Sequence, residues 1–163
     1  VRESWRAAVA AGWEWALVLE DSATYLHGSP LQLLALLPHL TEAASMADAE
    51  WQLLVLSLVE VRAFFDERGG HWSDGPIKAL TSRQPTDARG WDHIGPTRGA
   101  HGWVYRRGLM HQLLERLEAA TVASLSDETI DAWVWDEMAR LGAIGHALAP
   151  SKPLVGQRTG AIA

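Results

Sequence analysis

The sequence contains no cysteine. That excludes disulfides, thiolate nucleophiles and cysteine-based zinc or iron–sulfur centres, and it suits a reducing compartment. Long apolar runs are missing too. The richest, WQLLVLSLVEV from Trp51 to Val61, carries Glu60 and falls well short of the roughly 20 residues a membrane-spanning helix needs. The opening VRESWRAAVAAGWEW holds Glu3 and Glu14 and lacks the unbroken apolar core of a signal peptide. Cytoplasm is the expected location and no membrane the expectation. No HExxH is present, nor a nucleophile elbow, a Walker loop or a dinucleotide fingerprint. The segment GPTRGAHG, Gly95 to Gly102, lacks the Lys-Ser/Thr that a phosphate loop uses.

What remains is a chain of 163 residues, 48% hydrophobic and 21% charged, enough for one domain with a true core. Nine of the residues are Trp. Each Trp brings a large apolar face and one N–H that needs a partner, so the set belongs in a core or at an interface. The net charge of −6 argues against broad nucleic-acid binding. Charge is uneven, however: residues 78–107 hold six basic and two acidic side chains, and both flanking segments are net acidic.

Hydrophobic spacing predicts helices. Ser4 to Leu26 reads as the first, with Trp5, Val9, Trp13, Ala16 and Leu17 recurring at three and four. Ser29-Pro30 opens a second, Ser as cap and Pro at the first helical position, and Pro38 is expected to kink or end it. A third runs from Ser45 or Asp48 to Glu67 and ends at Arg68-Gly69-Gly70. A fourth runs from His101 or Gly102 to Ala123, and a fifth from Ser126 to near Pro150. The predicted fold is therefore all-α: a four- to five-helix bundle with a long ordered Gly/Arg/Trp-rich loop between helices three and four. Residues 1–149 form one helical domain, with the loop at 69–100. Residues 150–163 form a flexible C-terminal tail.

Arg106 and His111 are separated by four residues. That spacing resembles the Rx4H element of HEPN ribonucleases. The resemblance implies a dimeric helical domain in which His acts as acid and base and Arg stabilises the phosphate. The residue after the Arg, usually polar in that family, is Arg107 here. The plainer reading puts Arg107, His111 and Glu115 in a solvated ladder on one helix face.

Other candidates lie nearby. Trp91, His93, Arg98, His101, Trp103 and Arg107 combine forked cations with aromatic faces, which suits a phosphate-containing or nucleic-acid ligand at residues 78–107. Trp13/Trp15 and Trp133/Trp135 are each spaced by two, so on a helix one of each pair should face outward; Trp135 is a candidate contact. The histidines are scattered and define no metal site, and no cofactor is expected. The favoured function is a non-catalytic helical adaptor or subunit. It would bind a larger protein or nucleoprotein partner, or itself, through the Arg/Trp-rich loop. The alternative is a HEPN-like ribonuclease, or a metal- or small-molecule-binding helical-bundle enzyme.

Overall fold

A computed structural model describes residues 1–57, 84–97, 101–119 and 129–157. The elements are α1 (Arg2–Ala10), β1 (Trp15–Leu19), β2 (Ala23–Tyr25), α2 (Pro30–Ala47), β3 (Leu53–Val55), β4 (Gln84–Pro85), β5 (Trp91–His93) and β6 (Gly102–Arg106). They are followed by α3 (Arg107–Ala119), α4 (Ile130–Arg140), a 3-10 turn (Ile144–His146), β7 (Ala147–Pro150) and β8 (Val155–Gln157). Among the described residues no helix is long and apolar enough to cross a membrane.

The architecture is mixed α/β, which overturns the all-α bundle. Six strands form one sheet in the order β1-β6-β3-β7-β5-β4, and β2 pairs with β8 in a two-stranded ribbon. All pairings in the large sheet are antiparallel except β3 with β7. Side chains alternate between the two faces along each strand. Leu53, Val55, Trp103, Tyr105, Ala147 and Ala149 join α1, α3 and α4 in one core. Leu54, Leu56, Val104 and Leu148 join α2 in the other. The sheet is thus buried on both sides between helices.

Each helix expected from periodicity was cut short for a local reason. The first stops at Ala10, because Gly12 takes φ +73 and turns the chain. After it, WALVL alternates sides as a strand. Leu53–Val55, taken for the middle of helix three, is a central strand buried on both faces. A short continuous apolar run has no period that separates these two outcomes. The rest of that helix, and the short helix considered at Pro76 to Ser82, lie outside the described residues. Helix four begins only at Arg107, because GWVYR, rich in aromatic and β-branched residues, is β6. Helix five ends at Arg140; Gly142 at φ +70 leads on to β7. The described part of the expected loop, residues 84–97, contributes β4 and β5 to the sheet. Within the segment read as a tail, the amides of Leu154 and Val155 both bond to the Leu56 carbonyl.

Helix two is the exception. Its capping box is present, with Ser29 and Gln32 satisfying each other's backbone amides. Yet the helix runs through Pro38 to Ala47. Pro38 is exposed, so water can solvate the Leu34 carbonyl that it leaves unbonded.

The expectation that one Trp of the Trp133/Trp135 pair faces outward also fails. Both are buried, because α4 is enclosed on almost every side and Trp135 donates its indole N–H to the Thr97 carbonyl at 3.0 Å. The same helix carries Glu137, 4% exposed, bracketed by Arg140 and by Arg116 of α3.

Tyr105 is fully buried against Trp5 and Trp103. Burial, reinforced by the charges of Asp131 and Glu20, raises its phenol well above the ordinary range. The unfolded phenol ionises at about pH 10, so the unfolded state sheds this proton first and folding free energy drops as pH rises past that point. We expect urea midpoints to decline from about pH 9 to about pH 11 in the parent chain, with a shallower decline in Tyr105→Phe. Equal slopes would show that Tyr105 does not govern alkaline unfolding.

Candidate functional site

A depression lies where three strands end or begin under α2. Its lining combines Glu14 and Trp15 at the start of β1, Trp51 ahead of β3, and Arg106, Arg107 and Gly108 at the β6–α3 junction. Pro38, Thr41, Glu42 and Ser45 of α2 close the other side. The cleft encloses about 440 Å³, within the range of small-molecule sites.

Its floor is rigid. Trp51 is 2% exposed, and its indole donates to Ser45 Oγ at 3.0 Å. Ser45 Oγ in turn donates to the Thr41 carbonyl at 2.9 Å, and Thr41 Oγ1 to that of Pro38. Arg106 lies over the Trp51 ring, 5.5 Å from its centroid, a cation–π contact. Its Nη1 donates to the carbonyls of Ala49 at 2.7 Å and Trp51 at 3.1 Å. The guanidinium is thereby pinned, with Nε and Nη2 left without acceptors among the described residues.

Arg107 follows in sequence but has a different setting. Its amide bonds to the Glu14 carbonyl at 2.7 Å, while its side chain is exposed. It is the first residue of α3. The next two amides, Gly108 and Leu109, have no carbonyl one turn earlier within the helix, and the positive end of the α3 dipole adds to the two arginines. Gly108 presents bare backbone at the wall: a methyl there would meet only Gln52 Oε1, at 3.9 Å. Glu14 and Glu42 supply opposite charge. The lining is balanced, two cations against two carboxylates.

Of the residues singled out from sequence, the cleft brings together Arg106 and Arg107 only. His111 stands on α3, 57% exposed, 3.5 Å from Glu115 one turn on, and does not line the cleft. The Arg106–His111 pair spans a strand end and a helix rather than one helical element, so the helical domain that the HEPN resemblance implied is absent. Trp91 and Trp103 are buried on opposite faces of the sheet, and Trp135 is buried in α4. His93 sits half-buried in β5, its Nδ1 enclosed and without a hydrogen-bond partner among the described residues. His101 Nδ1 pairs with Glu20 Oε2 at 2.5 Å. Arg98 lies outside the described residues. Among those described, no group of three or more His, Asp or Glu side chains converges as a metal site would.

Sequence reading missed Glu14, Trp15, Thr41, Glu42, Ser45 and Trp51. They come from two separate stretches of the chain, 14–15 and 41–51, and a helix through Leu26 would have placed the first stretch elsewhere. It also missed His146 Nδ1 against Asp48 Oδ2 at 2.9 Å, a pair 98 positions apart with no local signal. No protein-family model, curated protein or solved structure matches this chain.

The two arginines should respond differently to truncation. Arg106→Met strands two carbonyls and removes the cation above Trp51, so about 1–3 kcal/mol of folding stability should be lost in urea titration. Arg107→Ala, on an exposed side chain, should stay within about 0.5 kcal/mol of the parent. Equal losses would contradict the division between a pinned and a free arginine.

Proposed function

We propose that this chain is a binding domain for a small zwitterionic ligand, one that carries a phosphate or carboxylate together with an amino group. The supporting observation is the opposed charge within one small cleft. The Arg107 fork and the α3 amide at Gly108 offer charge-assisted donors to the anionic end. Glu14 and Glu42 accept from the ammonium end. Arg106, held by its two carbonyls, fixes the floor.

Size and charge argue for a small molecule. A long polyanion gains from a continuous positive field, whereas here each cation is matched by a carboxylate. The described basic residues between 78 and 107 are also divided by the sheet. Arg89 belongs to the β4–β5 turn at one edge, and Arg106 ends β6, three strands away. Binding rather than turnover is proposed, because among the described residues no histidine lines the cleft and proton transfer there would fall to Glu14 and Glu42. A cytoplasmic site of action belongs to the same proposal, and the cysteine-free sequence is compatible with it.

Calorimetric titration with phosphoethanolamine, beside inorganic phosphate and ethanolamine alone, tests the reading. Phosphoethanolamine should bind more tightly than either half. Arg107→Ala should weaken it at least about tenfold, the loss expected for one charge-assisted contact. Gly108→Leu should abolish binding while the chain stays folded, since its side chain enters open space at a helical position. Equal affinity for Arg107→Ala and parent, or no heat from any of the three probes, would overturn the proposal.

A further inference from the structure

The large sheet has an outer strand at β1, and its hydrogen bonding leaves one side of that strand unused. The Arg107 amide bonds to the Glu14 carbonyl, and the Glu20 amide to that of His101. In an antiparallel pair such bonds recur at every second residue. Even positions from Glu14 to Glu20 therefore face β6. The amides and carbonyls of Trp15, Leu17 and Leu19 point away from it. Among the described residues no strand pairs with that side.

Natural sheets guard such edges with lysine, proline or a bulge. Here the guard is absent. The strand is WALVL, and residues 7–57 contain no Lys or Arg at all, against six acidic residues. Trp13, just before the strand, is 58% exposed, and Leu19 at its end 42%.

Helix α2 runs antiparallel to this strand. Pro38, Thr41 and Ser45 line the cleft with Trp15 at one end. Pro30 and Leu33 meet Leu19 in a smaller depression at the other, with Ala23, Thr24, Tyr25 and Val155. Continuing the Ser45–Thr41–Pro38 stripe back by helical steps reaches Leu34 and Leu31, which are 52% and 76% exposed. An apolar helix stripe thus accompanies an open strand edge.

We propose that β1 accepts an extended segment of another protein as an added strand, with alternate apolar side chains turned toward α2 and basic residues at its ends. The mode is strand addition at a sheet edge. Charge complementarity selects the occupant. Asp21, exposed, and Glu20, which also pairs with His101, stand at one end of β1; Glu14 stands at the other and Glu42 on α2, there alongside Arg106 and Arg107. A second copy of this chain is disfavoured by the same residues. A two-fold axis at Leu17 would set Trp15 against Leu19 of the second copy, but it would also set Glu14 against Glu20 of that copy, like charges directly opposed. The added strand would share Glu14, Glu42 and Trp15 with the cleft at one end, but it needs neither Arg107 nor a bound ligand, so slowed exchange at Leu17 and Leu19 distinguishes it from the function proposed above.

Amide hydrogen exchange on the full chain tests it. The probe is a synthetic peptide of about seven residues alternating valine and threonine, with lysine at both ends; a glutamate-ended peptide is the control. In the free chain the Ala16 and Val18 amides should exchange slowly, and those of Trp15, Leu17 and Leu19 fast. The lysine-ended peptide should slow those three at least about tenfold at saturation, the mark of new hydrogen bonds. Leu34→Asp and Asp21→Lys, both on exposed side chains, should weaken that effect, and the glutamate-ended peptide should not reproduce it in the parent chain. Slow exchange of all five amides in the free chain would overturn the proposal, as would slowing that follows protein concentration instead of peptide, which would mark a second copy. Fast exchange of the three at saturating peptide would overturn it as well.

Discussion

Strand β6 is the constraint on which the rest depends. It is bonded on both sides, to β1 and to β3, and its five residues are laid out by strict alternation. Trp103 and Tyr105 project into the core shared with α1, α3 and α4, while Val104 projects into the core under α2. A shift of one residue would exchange those faces and drive two large aromatics against α2. Because the register is fixed, so is the end of the strand. Arg106 arrives opposite Trp15 and within reach of the Ala49 and Trp51 carbonyls, and α3 starts at once with Arg107. The cleft follows from where this strand stops.

The close approach around β6 is tight elsewhere too. Gly102, its first residue, lies so near Val155 that a methyl there would come within 3.0–3.1 Å of the Val155 side chain. Val155 is the residue that joins β8 to the Leu56 carbonyl and pairs with Tyr25. The ribbon is therefore packed directly on β6, and the glycine makes room for it.

Parts of this arrangement were legible in the sequence. The Ser29 cap, the Pro30 start and the helical stretch from Arg107 onward all follow from local chemistry, which operates within a few residues. Trp spacing expected one outward residue in each pair without saying which. Trp13, placed on the apolar stripe, is the exposed one of the first pair, and the expectation fails for Trp133 and Trp135 because burial of α4 is set by neighbours the spacing does not contain. The strands were lost for a physical reason. Trp15–Leu19 and Leu53–Val55 are short and apolar, and in a sheet covered on both faces such strands carry no polar alternation to distinguish them from buried helix. Once those strands were misread, the cleft could not be assembled, since Glu14, Trp51 and Arg106 meet only through sheet pairing. The adaptor built on one Arg/Trp-rich loop fails for the same reason, because the described part of that loop is divided between sheet strands.

The proposed function makes the β6–α3 junction the ligand-binding point of this chain. An amide-resolved NMR titration with phosphoethanolamine addresses it most directly. The account predicts shifts confined to Glu14, Trp15, the Trp51 indole and Arg106 to Leu109, with Arg89 to His93 at the far side of the sheet unchanged. Shifts centred on Arg89 to His93, with the junction silent, would contradict it.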